Sequence, residues 1–175
     1  MTPDPRRLQP VEIGRLLESA VAMIRAELAG LPDEILAWHP APGEWCAKEV
    51  LGHLIESEGR GFSGRIRIIL AGDTPALETW DQNEVARVRR DCEGDAAVLL
   101  DELASLRRES VTLVAGLGPA DLEREGRHPK VGLLRLDNLL HEWVHHDRNH
   151  QRQILANVQA RAWPHMGSAR RFSEE

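Results

Sequence analysis

The sequence predicts an all-α protein, folded as a four-helix bundle with long ordered connections. Apolar residues recur at steps of three and four in four long segments, which is the pattern of amphipathic helices that pack on one another. Strict alternation of apolar and polar residues, which would indicate strands, is scarce. The chain has 175 residues, of which 42% are hydrophobic and 29% charged, as expected for one globular domain. We therefore expect a single domain over 1–175, with its core over about 10–160 and a peripheral, Arg-rich tail over 161–175.

The first predicted helix begins at Pro10, because proline suits the first turn of a helix. Its apolar residues share one face: Ile13, Leu16, Leu17, Ala20, Val21, Ile24 and Leu28. Gly30 and Pro32 end the helix. The connection over 31–45 is rich in proline and glycine and is predicted to be long but ordered.

The second predicted helix starts between Glu44 and Lys48 and runs to Leu70. Its middle contains three glycines, each of which weakens a helix by up to about 1 kcal/mol: Gly59, Gly61 and Gly64. We expect a kink there, or the close approach of another segment.

The third predicted helix is best defined over 95–115, and residues 83–90 are a possible upstream extension of it. Arg107 and Arg108 are interpreted as part of its solvated face. A loop over 119–132 then leads to the fourth helix, for which Asp137 is a candidate N-terminal cap. The apolar positions of this last helix include Leu136, Leu139, Leu140, Trp143, Ile154, Leu155 and Val158.

Charge and hydropathy exclude several classes of protein. The 22 basic and 28 acidic residues give a formal net charge of −6, so the positive field that drives general nucleic-acid binding is missing. No apolar stretch approaches the roughly 20 residues that span a bilayer, and the first ten residues lack the apolar core of a secretory signal. We therefore expect a cytoplasmic protein that binds neither nucleic acid nor membranes. Cys46 and Cys92 fit no CxxC spacing and are predicted to be free thiols.

Four of the eight histidines lie between residues 141 and 150, as two pairs with four-residue spacing. On a helix, residues four apart lie on the same face, so both pairs could chelate a metal. Steps of three and four from His146 and His150 reach apolar residues: Leu139, Trp143 and Ile154. The same steps from His141 and His145 reach mostly polar residues. The first pair is therefore predicted to face the core, and the second pair to be solvated.

A third imidazole is expected from His53, which lies on the apolar stripe of the second helix. Three neutral imidazoles from two helices could hold one divalent metal and leave coordination positions open, as in catalytic metal sites. The alternative is that each inward histidine is a hydrogen-bonded core residue, which is the commoner role of a lone histidine. Glu56 is a candidate fourth ligand, a hydrogen-bond acceptor for a ligating histidine or a catalytic proton-transfer group, with a surface carboxylate as the alternative.

Three further residues are candidates for the wall of the metal pocket: Trp143, Ser57 and His128. Trp143 lies one turn before His146, although an aromatic core residue is the default interpretation at this position. For His128, a hydrogen bond within its turn is an equally good alternative.

Two segments of the sequence resemble the DinB-like (DinB/YfiT) superfamily. Residues 45–58, Trp-Cys-Ala-Lys-Glu-Val-Leu-Gly-His-Leu-Ile-Glu-Ser-Glu, are similar to the family's tryptophan followed by a helix that contains His-Leu. Residues 146–154, His-Asp-Arg-Asn-His-Gln-Arg-Gln-Ile, are similar to its HxxxH segment that ends in Gln-Ile. The loop over 126–132 also resembles the family's lead-in to the last helix. The resemblance extends over about 13–158 and covers most of the chain.

The resemblance implies a DinB/YfiT-like four-helix bundle that holds a divalent metal, often nickel or zinc, through three histidines. These histidines match His53, His146 and His150. Family members commonly form homodimers. Some are S-transferases or isomerases that use a low-molecular-weight thiol, and others are described as metal-dependent hydrolases.

On this resemblance we expect a metal-dependent thiol S-transferase that acts on electrophilic small molecules in stress or detoxification. Two alternatives stay open. One is a metal-dependent hydrolase that uses metal-bound water, and the other is a metal-binding bundle without catalytic activity.

Overall fold

The computed structural model describes residues 7–173, and the predicted four-helix bundle is confirmed. The long helices are α1 (Pro10–Leu28), α3 (Ala47–Glu56) continued by a π-helical segment (Ser57–Ser63) and α4 (Gly64–Ala71), α6 (Ala96–Ala115) and α8 (Leu136–Ala162). The short elements are α2 (Asp33–Leu36), α5 (Gln82–Arg89), α7 (Pro119–Leu122), β1 (Glu125–His128), β2 (Gly132–Arg135) and 3₁₀ turns at Asp91–Glu93, Trp163–His165 and Gly167–Ser173. No helix within 7–173 is both long and apolar enough to cross a membrane.

The core of the bundle is formed by the apolar stripes of the long helices. Helix α1 packs against α6 and α8, and α3 packs against α6. The start of α1 at Pro10 is confirmed, and the backbone N–H of Gln9 donates to Glu12 Oε2 at 2.8 Å. This bond satisfies an N–H group that precedes the helix and would otherwise lack a partner.

The glycine-containing middle of the second long segment is π-helical rather than kinked. An added Cβ at Gly61 would lie 3.0 Å from the Trp80 ring, so the expected close approach is confirmed and its partner is Trp80. A π-helical turn widens a helix locally and is frequent at functional sites. Here it supplies Phe62 to the core and Ser57 to the region around His53.

The structure corrects the predicted connections in two places. Residues 83–90 do not extend the third long helix, because α5 is a separate helix that ends where Arg90 adopts a left-handed conformation (φ +54°). The predicted loop over 119–132 contains α7 and most of an antiparallel hairpin, in which Glu125 pairs with Arg135. Its strands have only four residues each, too few to show alternation in the sequence.

The predicted cap of the last helix is also wrong. Arg135 occupies the N-cap position of α8 without a side-chain cap, and Asp137 lies within the first turn. The Asp137 carboxylate instead accepts a hydrogen bond from Arg7 Nε at 3.0 Å, which attaches the chain before α1 to the start of α8.

The prediction of free thiols is wrong, because Cys46 and Cys92 form a disulfide. The two residues are 46 positions apart in sequence. Helix α5 and the following 3₁₀ turn, Asp91–Glu93, carry Cys92 back to Cys46, the N-cap residue of α3. Sequence spacing alone could not reveal this return of the chain.

A buried ion network joins the long helices, and it corrects the prediction that Arg107 is solvated. Arg107 is 2% exposed, and its guanidinium donates to both Glu58 oxygens at 2.8 and 2.7 Å. It also donates to Asp147 Oδ2 at 2.7 Å and to the backbone carbonyl of Leu17. Four elements therefore meet at one side chain: α1, the π-helical segment, α6 and α8.

We predict that Arg107→Met lowers the free energy of unfolding by about 3–5 kcal/mol, because it leaves two buried carboxylates without their cation. Arg108→Met is the matched control. Arg108 is exposed, so this change should stay within about 0.5 kcal/mol of the wild type. Urea unfolding of the three proteins measures the difference. Equal midpoints for Arg107→Met and Arg108→Met would contradict a stabilising role for the network.

Candidate metal centre

Three histidine side chains from two helices meet inside the bundle. His53 lies in the last turn of α3, whereas His146 and His150 lie four residues apart on α8. The Nε2 atoms of His53 and His146 are 3.1 Å apart, and the ring centroids of the three pairs are 4.5 to 5.1 Å apart. One nitrogen from each ring lies within 4.8 Å of the others, close enough to share one ion. His145 is exposed, and the Nδ1 of the partly exposed His141 contacts the carbonyl oxygen of Asp137.

Burial keeps two of these imidazoles, His53 and His150, in the form that can bind a metal. The pKa of His53 is lowered to about 3, first by burial and then by the neighbouring His150 and His146. The pKa of His150 is also lowered, first by burial and then by His146. A neutral imidazole presents a nitrogen lone pair, whereas an imidazolium has none. His53 and His150 are therefore available as ligands at neutral pH.

A neighbouring side chain determines which nitrogen of His150 points inward, and a carboxylate lies beside His146. His150 Nδ1 lies 2.9 Å from Gln153 Oε1, which accepts its N–H and leaves Nε2 unprotonated. His146 Nδ1 and Asp147 Oδ1 are both buried, and neither finds a hydrogen-bond partner within residues 7–173. They lie 3.8 Å apart. Asp147 is thus positioned to accept a hydrogen bond from Nδ1–H of His146 when Nε2 binds a cation. The residues present therefore fit a divalent metal.

A cavity of about 400 Å³ opens beside two of the three histidines, His53 and His146. Its other lining residues come from the π-helical segment, α4, the loop before α5, the first residue of α5, the hairpin and α8: Ser57, Gly61, Phe62, Arg65, Trp80, Gln82, His128, Lys130, Val131, Leu134, Leu139 and Glu142. The walls combine aromatic rings with charged groups, which is typical of small-molecule sites.

Charged groups are concentrated on one wall of this cavity. The Arg65 guanidinium carbon lies 5.1 Å from the centre of the Trp80 ring, and one of its nitrogens is 3.2 Å from His128 Nε2. Burial lowers the pKa of Arg65, and the neighbouring Glu142 carboxylate opposes this effect. Lys130 adds a second cation from the hairpin turn. The cavity therefore presents two cations and one carboxylate near the histidines.

Two of the three predicted pocket residues line the cavity, and the third does not. Ser57 and His128 line the cavity, and Ser57 Oγ is 3.3 Å from His53 Nε2. Trp143 does not line it. Its ring is fully buried and stacks on Phe62 at 4.8 Å, and Phe62 in turn meets the His146 ring. Trp143 thus supports the site indirectly, through its contact with Phe62.

Glu56 lies outside the cavity lining, held by ion pairs with Arg89 at 3.1 Å and Arg60 at 3.3 Å. The interpretation of Glu56 as a surface carboxylate describes this position better than that of a ligand. The carboxylate that reaches the cavity is Glu142.

Sequence reasoning missed five charged or aromatic residues of the cavity: Phe62, Arg65, Trp80, Lys130 and Glu142. One signal was available, because Glu142 precedes His146 by four residues and therefore shares its helix face. No local pattern places Trp80 or Lys130, since a loop and a hairpin turn bring them to the cavity.

The comparisons with known proteins agree with this architecture. A family model described as the DinB superfamily matches residues 16–154. A protein named "Putative metal-dependent hydrolase" from Oceanobacillus iheyensis is 21% identical over 84% of both chains. Another from Bacillus licheniformis is 27% identical over 84% of both.

The structure of YfiT from Bacillus subtilis, described as "a probable metal-dependent hydrolase with an unusual four-helix bundle topology", matches with a TM-score of 0.82. The two chains are 22% identical, and the match covers 93% of this chain and 94% of YfiT, which supports the fold. The single-domain boundaries, the homodimer and the cytoplasmic location stay predictions.

We predict that the metal-free protein loses stability as the pH falls from about 6.5 towards 3. The unfolded chain protonates His53 near pH 6.5, whereas the folded chain does so only near 3. The unfolded state therefore binds one more proton in this interval, which removes up to about 1.4 kcal/mol per pH unit. His150 acts in the same direction.

The measurement is urea unfolding of chelator-treated protein across this pH range. The His53→Gln variant should show a smaller slope of stability against pH, and His145→Gln, at an exposed position, should keep the wild-type slope. Identical slopes for both variants would disprove the assignment to His53.

Proposed function

The chain belongs to the DinB superfamily, and we propose that it is a metal-dependent hydrolase of small molecules, with a divalent metal held by His53, His146 and His150. The observation that carries this proposal is the convergence of three imidazoles beside an open cavity of about 400 Å³. Three protein ligands leave coordination positions for water and substrate, whereas structural zinc is closed by four. The hydrolase names of the relatives from O. iheyensis and B. licheniformis support the same reaction class.

The chain's own residues orient the histidine rings that would hold the metal. When bound, a divalent metal supplies a Lewis acid that lowers the pKa of a water or thiol in contact with it. Gln153 holds the His150 ring through Nδ1, and Asp147 is placed to do the same for His146. Nickel and zinc both accept imidazole ligands, and we retain both as candidates.

We assign proton transfer to Glu142 in place of Glu56. Glu142 lies on the cavity wall, one helical turn before His146, whereas Glu56 is held in ion pairs outside it. A carboxylate within reach of the reacting groups can accept a proton from the attacking water and return it to the leaving group. Arg65 and Lys130 would bind an anionic group of the substrate, and the Trp80 ring would contact its apolar part.

A thiol S-transferase with a role in stress or detoxification is the second candidate. The pair of cations in the cavity, Arg65 and Lys130, suits the carboxylates of a low-molecular-weight thiol as well as those of a hydrolase substrate. In this reaction the sulfur of the added thiol bonds to the electrophile and displaces its leaving group. The thiol must come from outside, since neither Cys46 nor Cys92 lines the cavity.

We predict that the wild-type protein binds one metal ion per chain in this site and that His150→Ala weakens binding by more than about 100-fold. Changes in residues that only support metal ligands cost about 10–100-fold, so the loss of a ligand should cost more. His145→Ala is the matched control on the same helix, because His145 is exposed and outside the cluster.

Elemental analysis with nickel and with zinc measures the stoichiometry, and the metal-induced rise in melting temperature measures the affinity. Both are measured with the Cys46–Cys92 disulfide intact, so that free thiols cannot bind the added metal. Equal metal content in His150→Ala and wild type would exclude the proposed ligands.

We predict that the metal-loaded protein releases product from small carboxylated esters or amides without added thiol, and that Glu142→Gln lowers kcat by at least about 100-fold, as for loss of a general base. Glu56→Gln is the control and should retain activity. Product release is followed with and without a low-molecular-weight thiol and a chlorinated aromatic electrophile. Turnover that strictly requires the thiol would replace the hydrolase with the S-transferase. Metal binding without product release, either with or without the thiol and electrophile, would indicate the non-catalytic bundle.

A further inference from the structure

A second group of potential metal ligands lies at the N-terminal end of α3, outside the cavity. It consists of His39, Cys46, Glu49 and Cys92, and one potential donor atom from each lies within 4.8 Å of all the others. None of the four residues lines the three-histidine cavity. Two sulfurs, an imidazole nitrogen and a carboxylate oxygen are a donor set that suits zinc.

His39 is already oriented as a metal ligand would be. Its Nδ1 lies 2.7 Å from the backbone carbonyl oxygen of Glu44, which can only accept, so Nδ1 carries the proton. The other nitrogen, Nε2, therefore presents its lone pair, and it lies 3.5 Å from Cys92 Sγ. A ring that donates one N–H to a backbone carbonyl and directs its second nitrogen at a metal is the usual arrangement of ligating histidines.

The remaining donors are held by the start of α3. Cys46 is buried at the N-cap position, and its backbone N–H donates to Glu49 Oε2 at 2.9 Å. This bond keeps the Glu49 carboxylate beside Cys46. The N-terminus of a helix carries a partial positive charge, which favours anionic ligands such as a thiolate and a carboxylate.

Close packing brings the fourth donor to the group. An added Cβ at Gly52 would lie 1.7 Å from Asp91 Oδ2, so only glycine allows the 3₁₀ turn of Asp91–Glu93 to approach α3 this closely. Arg89 holds Asp91 through two bonds, of 2.8 and 3.1 Å. Cys92 is the next residue in the chain. Its position beside Cys46 is therefore fixed by contacts other than the disulfide itself.

We propose that reduction of the Cys46–Cys92 disulfide opens a second metal site, in which Cys46, Cys92, His39 and Glu49 bind a zinc-class ion. A dithiol reductant supplies two electrons and two protons to the disulfide and is itself oxidised to a disulfide. The incoming divalent ion then displaces the two thiol protons and binds both sulfurs. Disulfide and metal are mutually exclusive, because each uses the same two sulfur atoms.

The backbone is compatible with both states. In a tetrahedral site with Zn–S bonds of about 2.3 Å, the two sulfurs are about 3.8 Å apart. The Cα atoms of Cys46 and Cys92 are 6.8 Å apart, so rotation of the side chains can supply this separation. Either linkage ties the 3₁₀ turn to the start of α3, the helix that carries His53. Where thiols are kept reduced, as in the predicted cytoplasmic location, the metal would replace the covalent link.

Cobalt(II) tests this proposal, because thiolate ligands give cobalt an intense near-ultraviolet charge-transfer band that imidazole ligands do not give. The reduced wild-type chain should bind two cobalt ions, one of them with this band, and zinc should abolish the band by competition. The disulfide form should bind one ion without the band. The His150→Ala variant, when reduced, should keep the band, which separates this site from the three-histidine site.

Two variants define the ligands of the second site. Cys92→Ser should lose the band and bind one ion, and His39→Ala should weaken cobalt binding at this site by more than about tenfold. The oxidised wild type is a thiol-free control that does not depend on the folding of Cys92→Ser. The absence of a charge-transfer band in the reduced wild type would overturn the proposal. An unchanged cobalt affinity of the thiolate site in His39→Ala would also overturn it, because the two thiolates would then bind metal without His39.

Discussion

The buried guanidinium of Arg107 joins four elements of the bundle. It bridges Glu58 of the π-helical segment and Asp147 of α8, and so fixes the segment that follows His53 against the helix that carries His146 and His150. Buried charges are tolerated only when they are paired, so the network restricts how the helices can shift past one another. Only one oxygen of Asp147 is bound by Arg107, and the other faces His146. One carboxylate thus connects the packing of the bundle to the orientation of a candidate ligand.

The π-helical segment determines what surrounds that cluster. A regular helix would carry its side chains past His53 at a fixed spacing, whereas the wider turn places Ser57 and Phe62 on the same cavity. Gly61 leaves room for the Trp80 ring, and Trp80 in turn supports the guanidinium of Arg65. The glycines that weaken the helix therefore allow an aromatic ring and a cation to reach the candidate site.

Much of the fold was predictable from the sequence, because helical periodicity is a local signal. The same periodicity placed His146 and His150 on the inward face and His145 in solvent, as the structure has them. Arg107 was interpreted wrongly because a local pattern of charges does not reveal partners on other helices. The disulfide and the cavity cations depend on how loops return to the bundle, and short strands of four residues carry too little pattern to indicate a hairpin.

The two ligand groups lie towards opposite ends of α3, and their chemistry differs accordingly. His53 lies in the last turn of the helix, where neutral imidazoles would leave a divalent ion with its full charge and with open positions. Cys46 caps the first turn, where two thiolates and the Glu49 carboxylate would more than neutralise the charge of a divalent ion and would complete its coordination with His39. An ion with uncompensated charge can activate a nucleophile, whereas a neutralised and enclosed ion can only hold segments together. With both proposed sites filled, one end of α3 would support chemistry and the other end would stabilise the helix that presents His53.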